Sequence, residues 1–346
     1  MKLFGLSLVL IATFFLISLT SGPNQELPAH SEYSVLFNFL NQQGRLNTPS
    51  AFCRLQSEIG NQAQIMDCLV RTYHYHRLTQ KIKVAIIDSG IDATHPYLKG
   101  YVSQKSYSAT NTNAFIDNQG HGTHVAGVFL TQLETLFDYY HLVAPIEIVA
   151  AKYFESSPSP SFQLTAVLAN LNLNETGLDA INVSSTGDKS DLSERREFEY
   201  TTQVLKIPVF AAAGNNGLIL LKNYEAYPCM YRIKNLFCVG NLEPSHKLFP
   251  LSNFGHAVQI YDVGTNIISS YPIHNPNDAG IAIMTGTSQA TPRTMANMVF
   301  MKKIGVISSF DRDNLDYTRT ISSHYNIPIR VIKFPEHLRI TSSLAQ

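Results

Sequence analysis

The sequence predicts an α/β fold with a mostly parallel central sheet and helices on both of its faces. Two observations carry this reading. From residue 81 onward, short apolar runs recur: KVAIIDSG, APIEIVAAKY, DAINVSS, IPVFAAAGNNG and NLFCVGN. Most of them stop at Gly, Ser, Asp or Asn, and they are too short and too β-branched for helices. Between several of them lie longer segments that suit helices: HVAGVFLTQLETL, FQLTAVLANLNL and SERREFEYTTQVL. Strands buried on both sides, alternating with helices of that length, require a parallel sheet covered above and below.

Composition agrees. Of 346 residues, 45% are hydrophobic and 15% charged, enough apolar surface for a large core. Lys plus Arg and Asp plus Glu both total 26, so the net charge is zero and no general attraction to nucleic acid or anionic lipid is implied. The first residues, MKLFGLSLVLIATFFLISLTSG, set Lys2 before an uncharged apolar run that ends in small polar residues, the layout of a secretory signal. Residues 3–19 would span about 25 Å as a helix, slightly short for a membrane crossing. No A-x-A site follows, and Pro23 hinders cleavage directly after Gly22, which leaves a retained N-terminal anchor as the alternative. The expected division is therefore a signal over residues 1–22, an N-terminal extension over 23–57 and a catalytic domain over 58–346. The location is secreted or periplasmic, or membrane-anchored if the first segment is kept.

The four cysteines form two close pairs, Cys53 with Cys68 and Cys229 with Cys238. Local pairing is the simplest of three connectivities in an oxidising compartment, with four buried thiols as the other reading. Neither pair has the spacing of a zinc or redox site.

Four windows carry chemistry. In KVAIIDSGID, Asp88 stands where a buried strand gives way to a turn, and functional groups in open α/β sheets collect there; a plain strand cap has the same look. In GHGTHVAG, His121 lies between Gly120 and Gly122, with His124 three residues on. The pair is not H-E-x-x-H, which argues against a metal, and one histidine is catalytic while the other is structural. In GTSQATP, Ser288 opens a segment that continues as a helix, so its own N–H and the positive helix end could stabilise an oxyanion; an ordinary helix cap fits as well. In IPVFAAAGNNG, Asn215 follows a strand and could donate a second hydrogen bond to that oxyanion, although Asn-Gly is also common in turns.

The order Asp, His, Asn, Ser, each in a glycine-rich window, resembles the subtilisin-like serine protease family (subtilases) rather than chymotrypsin or the α/β-hydrolases. DSGID, HGTHVAG, AAAGNNG and GTSQATP are similar to that family's motifs, and the likeness runs from about residue 81 to about residue 297. It implies the family's three-layer fold. It also implies a serine endopeptidase with Ser288 as nucleophile, His121 as general base then acid, Asp88 as the carboxylate that orients His121, and Asn215 with the Ser288 N–H as oxyanion hole. The chain beyond Ser288 has about the length that the family's closing helices need.

The resemblance has departures. INVSSTG is similar to the strand that pairs with substrate in this family, so Ser184, Ser185, Thr186 and Gly187 are assigned to substrate binding. Ser185 and Thr186 stand where a bulky apolar residue and a glycine are usual, and their side chains narrow the pocket. Ala226 falls near the pocket floor, which suggests a modest, uncharged residue at the cleavage position. Gln289 replaces a methionine, and Arg293 replaces a histidine after Pro292, so this charge needs a partner or an exit to solvent. Residues 23–56 are short for the family's propeptide.

No cofactor is required. Calcium is frequent in the family, but no ligand set is legible here. The partner is a protein or peptide substrate, met by a monomer, with no nucleic acid and no membrane unless the first segment stays attached. Two other functions use the same residues: a peptide ligase or macrocyclase that hands the acyl group to an amine, and a peptide-binding protein that keeps the fold without catalysis.

Overall fold

A computed structural model describes residues 81–139, 145–155, 161–221, 224–274, 279–303, 307, 309–310, 318–324 and 327–332. The expected signal, the extension, the start of the catalytic domain, Cys53 and Cys68 all lie outside the described residues. Seven strands form the main sheet: β1 (Ile82–Asp88), β2 (Tyr107–Ser108), β3 (Ile146–Lys152), β4 (Ala180–Val183), β5 (Val209–Ala212), β6 (Leu236–Leu242) and β7 (Ile260–Val263). Their spatial order is β2-β3-β1-β4-β5-β6-β7, and every neighbouring pair is parallel. The apolar runs of the sequence thus become a parallel sheet.

The alternation of strand side chains explains why both faces must be covered. Along β1, Val84 and Ile86 enter one core, while Ala85 and Ile87 enter the other. The first core takes Val125 and Phe129 from α1 (His121–Tyr139) and Met295 and Phe300 from α4 (Thr287–Lys303). The second takes Leu164 and Val167 from α2 (Ser161–Asn174) and Phe198 from α3 (Leu192–Glu199). The α3 segment continues through a wider turn at Tyr200–Val204.

Chain order fixes where a site can form. The chain runs from β1 to β2 and β3 on one side, then crosses to β4 on the other, so the order reverses between β1 and β4. In doubly wound sheets the crevice beyond the carboxyl ends at such a reversal is the ligand position. Ile87 of β1 is level with Val183 of β4, and Val183 is level with Ala211 of β5, so the three strands end side by side.

Two antiparallel pairs complete the described fold: β8 (Ile267–Ser270) with β9 (Ile281–Met284), and β10 (Thr318–His324) with β11 (Ile327–Ile332). The second pair departs from the expectation that helices close the chain. The segments TRTISSH and IPIRVI are rich in β-branched residues, and Ile327 and Ile329 are buried beside the sheet, so packing as strands wins there. Cys229 and Cys238 are disulfide-bonded, with Cα atoms 5.2 Å apart. This joins the short turn Cys229–Tyr231 to β6 and bears out local pairing for that pair.

Candidate active site

Asp88 is the last residue of β1 and is 1% exposed. Its Oδ1 accepts the Ser89 N–H at 2.7 Å and lies 2.7 Å from His121 Nδ1, while Oδ2 is buried without a hydrogen-bond partner among the described residues. A buried carboxylate needs compensation, and the imidazole N–H supplies it.

His121 begins α1, and the glycine after it explains how the helix comes so close to β1. A Cβ at Gly122 would stand 2.1 Å from the Gly90 carbonyl oxygen and 3.0 Å from Asp88 Cβ. The helix start is capped by Asp117, whose carboxylate accepts the N–H groups of Gly120 and Thr123, both at 2.8 Å. Burial opposes protonation of His121, but the charge and hydrogen bond of Asp88, with the charge of Asp117, outweigh it and raise the imidazole pKa above the ordinary value.

Of the two histidines that the sequence left open, His121 touches Asp88. His124 is fully buried, and its Nε2 lies 3.1 Å from the Ile267 carbonyl and 3.2 Å from that of Ala282. Burial lowers its pKa to about 4, so it is neutral near pH 7 and ties the β8–β9 pair to α1.

Ser288 is the second residue of α4, in the first turn, where its N–H has no helical acceptor. Its hydroxyl donates to the Ser184 carbonyl at 2.9 Å, so in this arrangement its single proton is not offered to His121. The Ser184 hydroxyl donates in return to the Ser288 carbonyl at 2.9 Å, and Asn182 Nδ2 donates to Ser184 Oγ at 2.9 Å. Pro292, four residues after Ser288, has no N–H to give that carbonyl, which leaves it open to Ser184.

Asn215 is exposed in the turn after β5. Its Oδ1 accepts the Thr287 N–H at 2.8 Å, which ties the amide to the start of α4, and a Cβ at Gly286 would lie 3.1 Å from its Nδ2. The turn itself is held by Gly214, whose N–H reaches Thr287 Oγ1 at 3.1 Å and whose φ of +96° belongs to the region glycine favours. The structure thus brings Asp88 against His121, and Ser184 and Asn215 against the first turn of α4.

The remaining substrate-binding candidates follow directly on β4, apart from Ala226. Ser184 is buried, Ser185 half-buried, and Thr186 and Gly187 exposed. A Cβ at Gly214 would lie 3.5 Å from Thr186 Oγ1, so the threonine reaches toward the opposite wall. Gly187 exchanges backbone hydrogen bonds with Tyr227 at 3.0 and 2.9 Å, which fixes buried Ala226 beside the same segment.

The unusual residues of α4 also find places. Arg293 pairs with Asp262 at 3.2 Å and keeps 35% of its side chain exposed, so it has both a partner and an exit. Gln289 is buried, with Nε2 3.8 Å from the sulfur of Met284.

Three residues escaped the sequence reading. Asp117 and Ser89 form a network beside the Asp88–His121 pair, with Ser89 Oγ 2.8 Å from Asp117 Oδ1. An acidic residue shortly before a helix start is a capping pattern, and that signal could have marked Asp117. Lys152 is fully buried and level with Asp88 on the neighbouring strand; its ammonium donates to the Ile116 carbonyl at 2.7 Å. No sequence pattern distinguishes it from a surface lysine at a strand end.

The model of the subtilase family (Peptidase_S8) matches residues 79–303. The chain is 28% identical over 247 residues to subtilisin DY of Bacillus licheniformis, covering 69% of this chain and 84% of that protein. It is 31% identical over 216 residues to a cell wall-associated protease of Bacillus subtilis (strain 168), covering 62% of this chain and 22% of the longer relative. A cold adapted subtilisin-like serine proteinase superposes with a TM-score of 0.59 at 20% identity, covering 73% of this chain and 88% of the other. A lanthipeptide protease gives 0.56 at 20% identity, over 70% and 84% of the two chains. At that identity the two structures share the fold with this chain. With the family match extending over most of its length, this chain belongs to the subtilase family of serine proteases.

Proposed function

We propose that the protein hydrolyses peptide bonds as a serine endopeptidase through Asp88, His121 and Ser288, with Asn215 and the Ser288 N–H as oxyanion hole. The observation that carries this reading is the 2.7 Å contact between Asp88 Oδ1 and His121 Nδ1. It leaves Nε2 as the nitrogen that can accept a proton. Rotation of the Ser288 side chain away from the Ser184 carbonyl turns its proton toward Nε2. The hydroxyl oxygen then attacks the substrate carbonyl while His121 takes the proton. The oxyanion is met by the Asn215 amide and the Ser288 N–H at the positive end of α4. His121 gives the proton to the departing amine, which leaves an ester on Ser288. Water, deprotonated by His121, attacks that ester and returns the hydroxyl.

The carbonyl freed when Ser288 rotates faces the crevice beside exposed Thr186 and Gly187, whose strand is suited to pair with an extended substrate. Thr186 opposite Gly214, with Ala226 behind, supports a small or modest uncharged residue at the cleavage position. The leader-like residues 1–22 support export, and the unit acts as a monomer.

Labelling with a fluorophosphonate probe tests the reading. The folded protein should be labelled on Ser288, and labelling should vanish in Ser288→Ala and in His121→Ala. Folded protein that resists the probe would favour a binding role, and Ser288→Ala protein that cleaves like its parent would remove the assigned nucleophile. Product mass separates hydrolysis, which adds one water, from transfer to an amine, which does not.

A further inference from the structure

Asp117 is 2% exposed, in the loop that leads into α1, and every contact it makes is with a hydrogen donor. Oδ2 accepts the N–H and the hydroxyl of Thr123 at 2.8 and 2.7 Å. Oδ1 accepts the N–H groups of Gly120 and Gln119 at 2.8 and 3.2 Å, and the Ser89 hydroxyl at 2.8 Å. These contacts bracket His121 on both sides. The Ser89 hydroxyl stands between two carboxylates, 2.8 Å from Asp117 Oδ1 and 3.2 Å from Asp88 Oδ1, and has one proton to give. The shorter contact assigns that proton to Asp117. The Ser89 oxygen is then free to accept the Gly122 N–H, which reaches it at 3.0 Å, immediately after His121.

We infer that Asp117 is a positioning residue for the proposed reaction: a second buried carboxylate that holds the Asp88–His121 pair through Ser89 and the first turn of α1, and sets a further negative charge against the imidazole. A helix cap alone needs one or two of these contacts. The Ser89 bridge is different, because it couples the loop before α1 to the residue that follows Asp88 on β1. The charged and titratable groups around the imidazole come from three elements: Asp88 on β1, Asp117 before α1, and His124 one turn along α1. From β3, the Lys152 ammonium holds the carbonyl of Ile116, next to Asp117. Removing the Asp117 charge therefore leaves His121 with Asp88 as its one carboxylate, in a helix turn that is less firmly held.

The inference rests on the hydrolytic reading only in its kinetic arm, so two readouts are used. In the full chain carrying Ser288→Ala and 13C-labelled histidine, NMR titration of His121, assigned with His121→Gln, should give a midpoint about 0.5–1 unit lower in Asp117→Asn than in its parent. On a chromogenic peptide with Ser288 intact, Asp117→Asn should lower kcat about tenfold, leave KM within about twofold, and move the acid limb of the rate profile down with the NMR midpoint. A folded Asp117→Asn protein whose His121 midpoint stays within about 0.2 unit of the parent would overturn the inference. Should that variant not fold, Ser89→Ala decides: lower kcat at unchanged KM is expected, and parental kcat would overturn it. If the intact chain proves inactive, the hydrolytic reading falls, while the NMR arm still judges Asp117.

Discussion

Ser184 and Ser288 hold each other through two hydrogen bonds of 2.9 Å, each hydroxyl donating to the other residue's carbonyl. The pair joins the end of β4 to the first turn of α4, and Pro292 makes it possible by leaving the Ser288 carbonyl without its helical partner. The proposed nucleophile is thereby held through its backbone carbonyl, while its hydroxyl rests on the Ser184 carbonyl.

Ser184→Ala should be costly for that reason. It strips the acceptor from the buried amide of Asn182 and the donor from the Ser288 carbonyl, and leaving such groups unpaired costs about 1–3 kcal/mol. Urea unfolding should show the loss as a lower midpoint with an unchanged slope. A midpoint equal to the parent's would mean that water or a neighbour takes over the bonds.

The pH profile should carry the sign of the His121 shift. The general base must be neutral, and burial, which works to lower the His121 pKa, is outweighed by Asp88 and Asp117, so protonation persists above the ordinary histidine range. The acid limb of kcat/KM is expected above pH ~6.5, the unperturbed value. Asp88→Asn should lower kcat about 10⁴-fold, as for the equivalent change in a well-studied triad, and shift what remains of the limb downward. A limb at or below the unperturbed value in the parent would contradict the assignment.

If Asn215 is the proposed oxyanion donor, Asn215→Ala should act on the transition state rather than on binding, with Oδ1 held by Thr287 and the amide Nδ2 left to donate. A loss of about 10²–10³-fold in kcat is expected, a magnitude taken from the same donor in a subtilisin rather than calculated for this chain. A change confined to KM would place the asparagine in the turn alone.

Stability should respond to pH through two buried groups of opposite sense. Burial raises the Glu194 pKa to about 7, so the folded state keeps a proton that the unfolded chain releases; the stability this adds is complete below the ordinary carboxylate value and is lost as pH rises through 7. His124, held at about 4, contributes stability that is complete above the ordinary histidine value and is lost as pH falls toward 4. Glu194→Gln, which mimics the protonated acid, should be roughly 1–3 kcal/mol more stable than the parent at alkaline pH and no more stable at acid pH. Equal unfolding midpoints at pH ~8 would show that Glu194 carries its charge without penalty.

The sheet and the chemical windows were legible because each depends on a local pattern. The run KVAIIDSG declares both a buried strand and the acid at its end, and GHGTH declares a helix start that must lie close to another backbone. The Ser89–Asp117 bridge was not legible, since it joins residues 28 apart whose side chains look like ordinary turn and cap residues. Nor was the resting direction of the Ser288 hydroxyl, which depends on a carbonyl 104 residues earlier and on a missing N–H four residues later. The β10–β11 hairpin was missed because length alone suggested helices, whereas its β-branched sequence and the buried Ile327 and Ile329 favour strands.

The proposed site draws on β1, α1, β4, β5 and α4, whose contributing residues stretch from Asp88 to Ser288, and β1, β4 and β5 end level with one another. Such distant closures are made late and slowly during folding. Cutting power should therefore switch on as a final event, after the sheet is zipped from β1 to β5 and the serine helix has seated. Nascent copies crowded together would be harmless to one another until that moment, and the appearance of activity would serve as a built-in signal that the whole domain has matured.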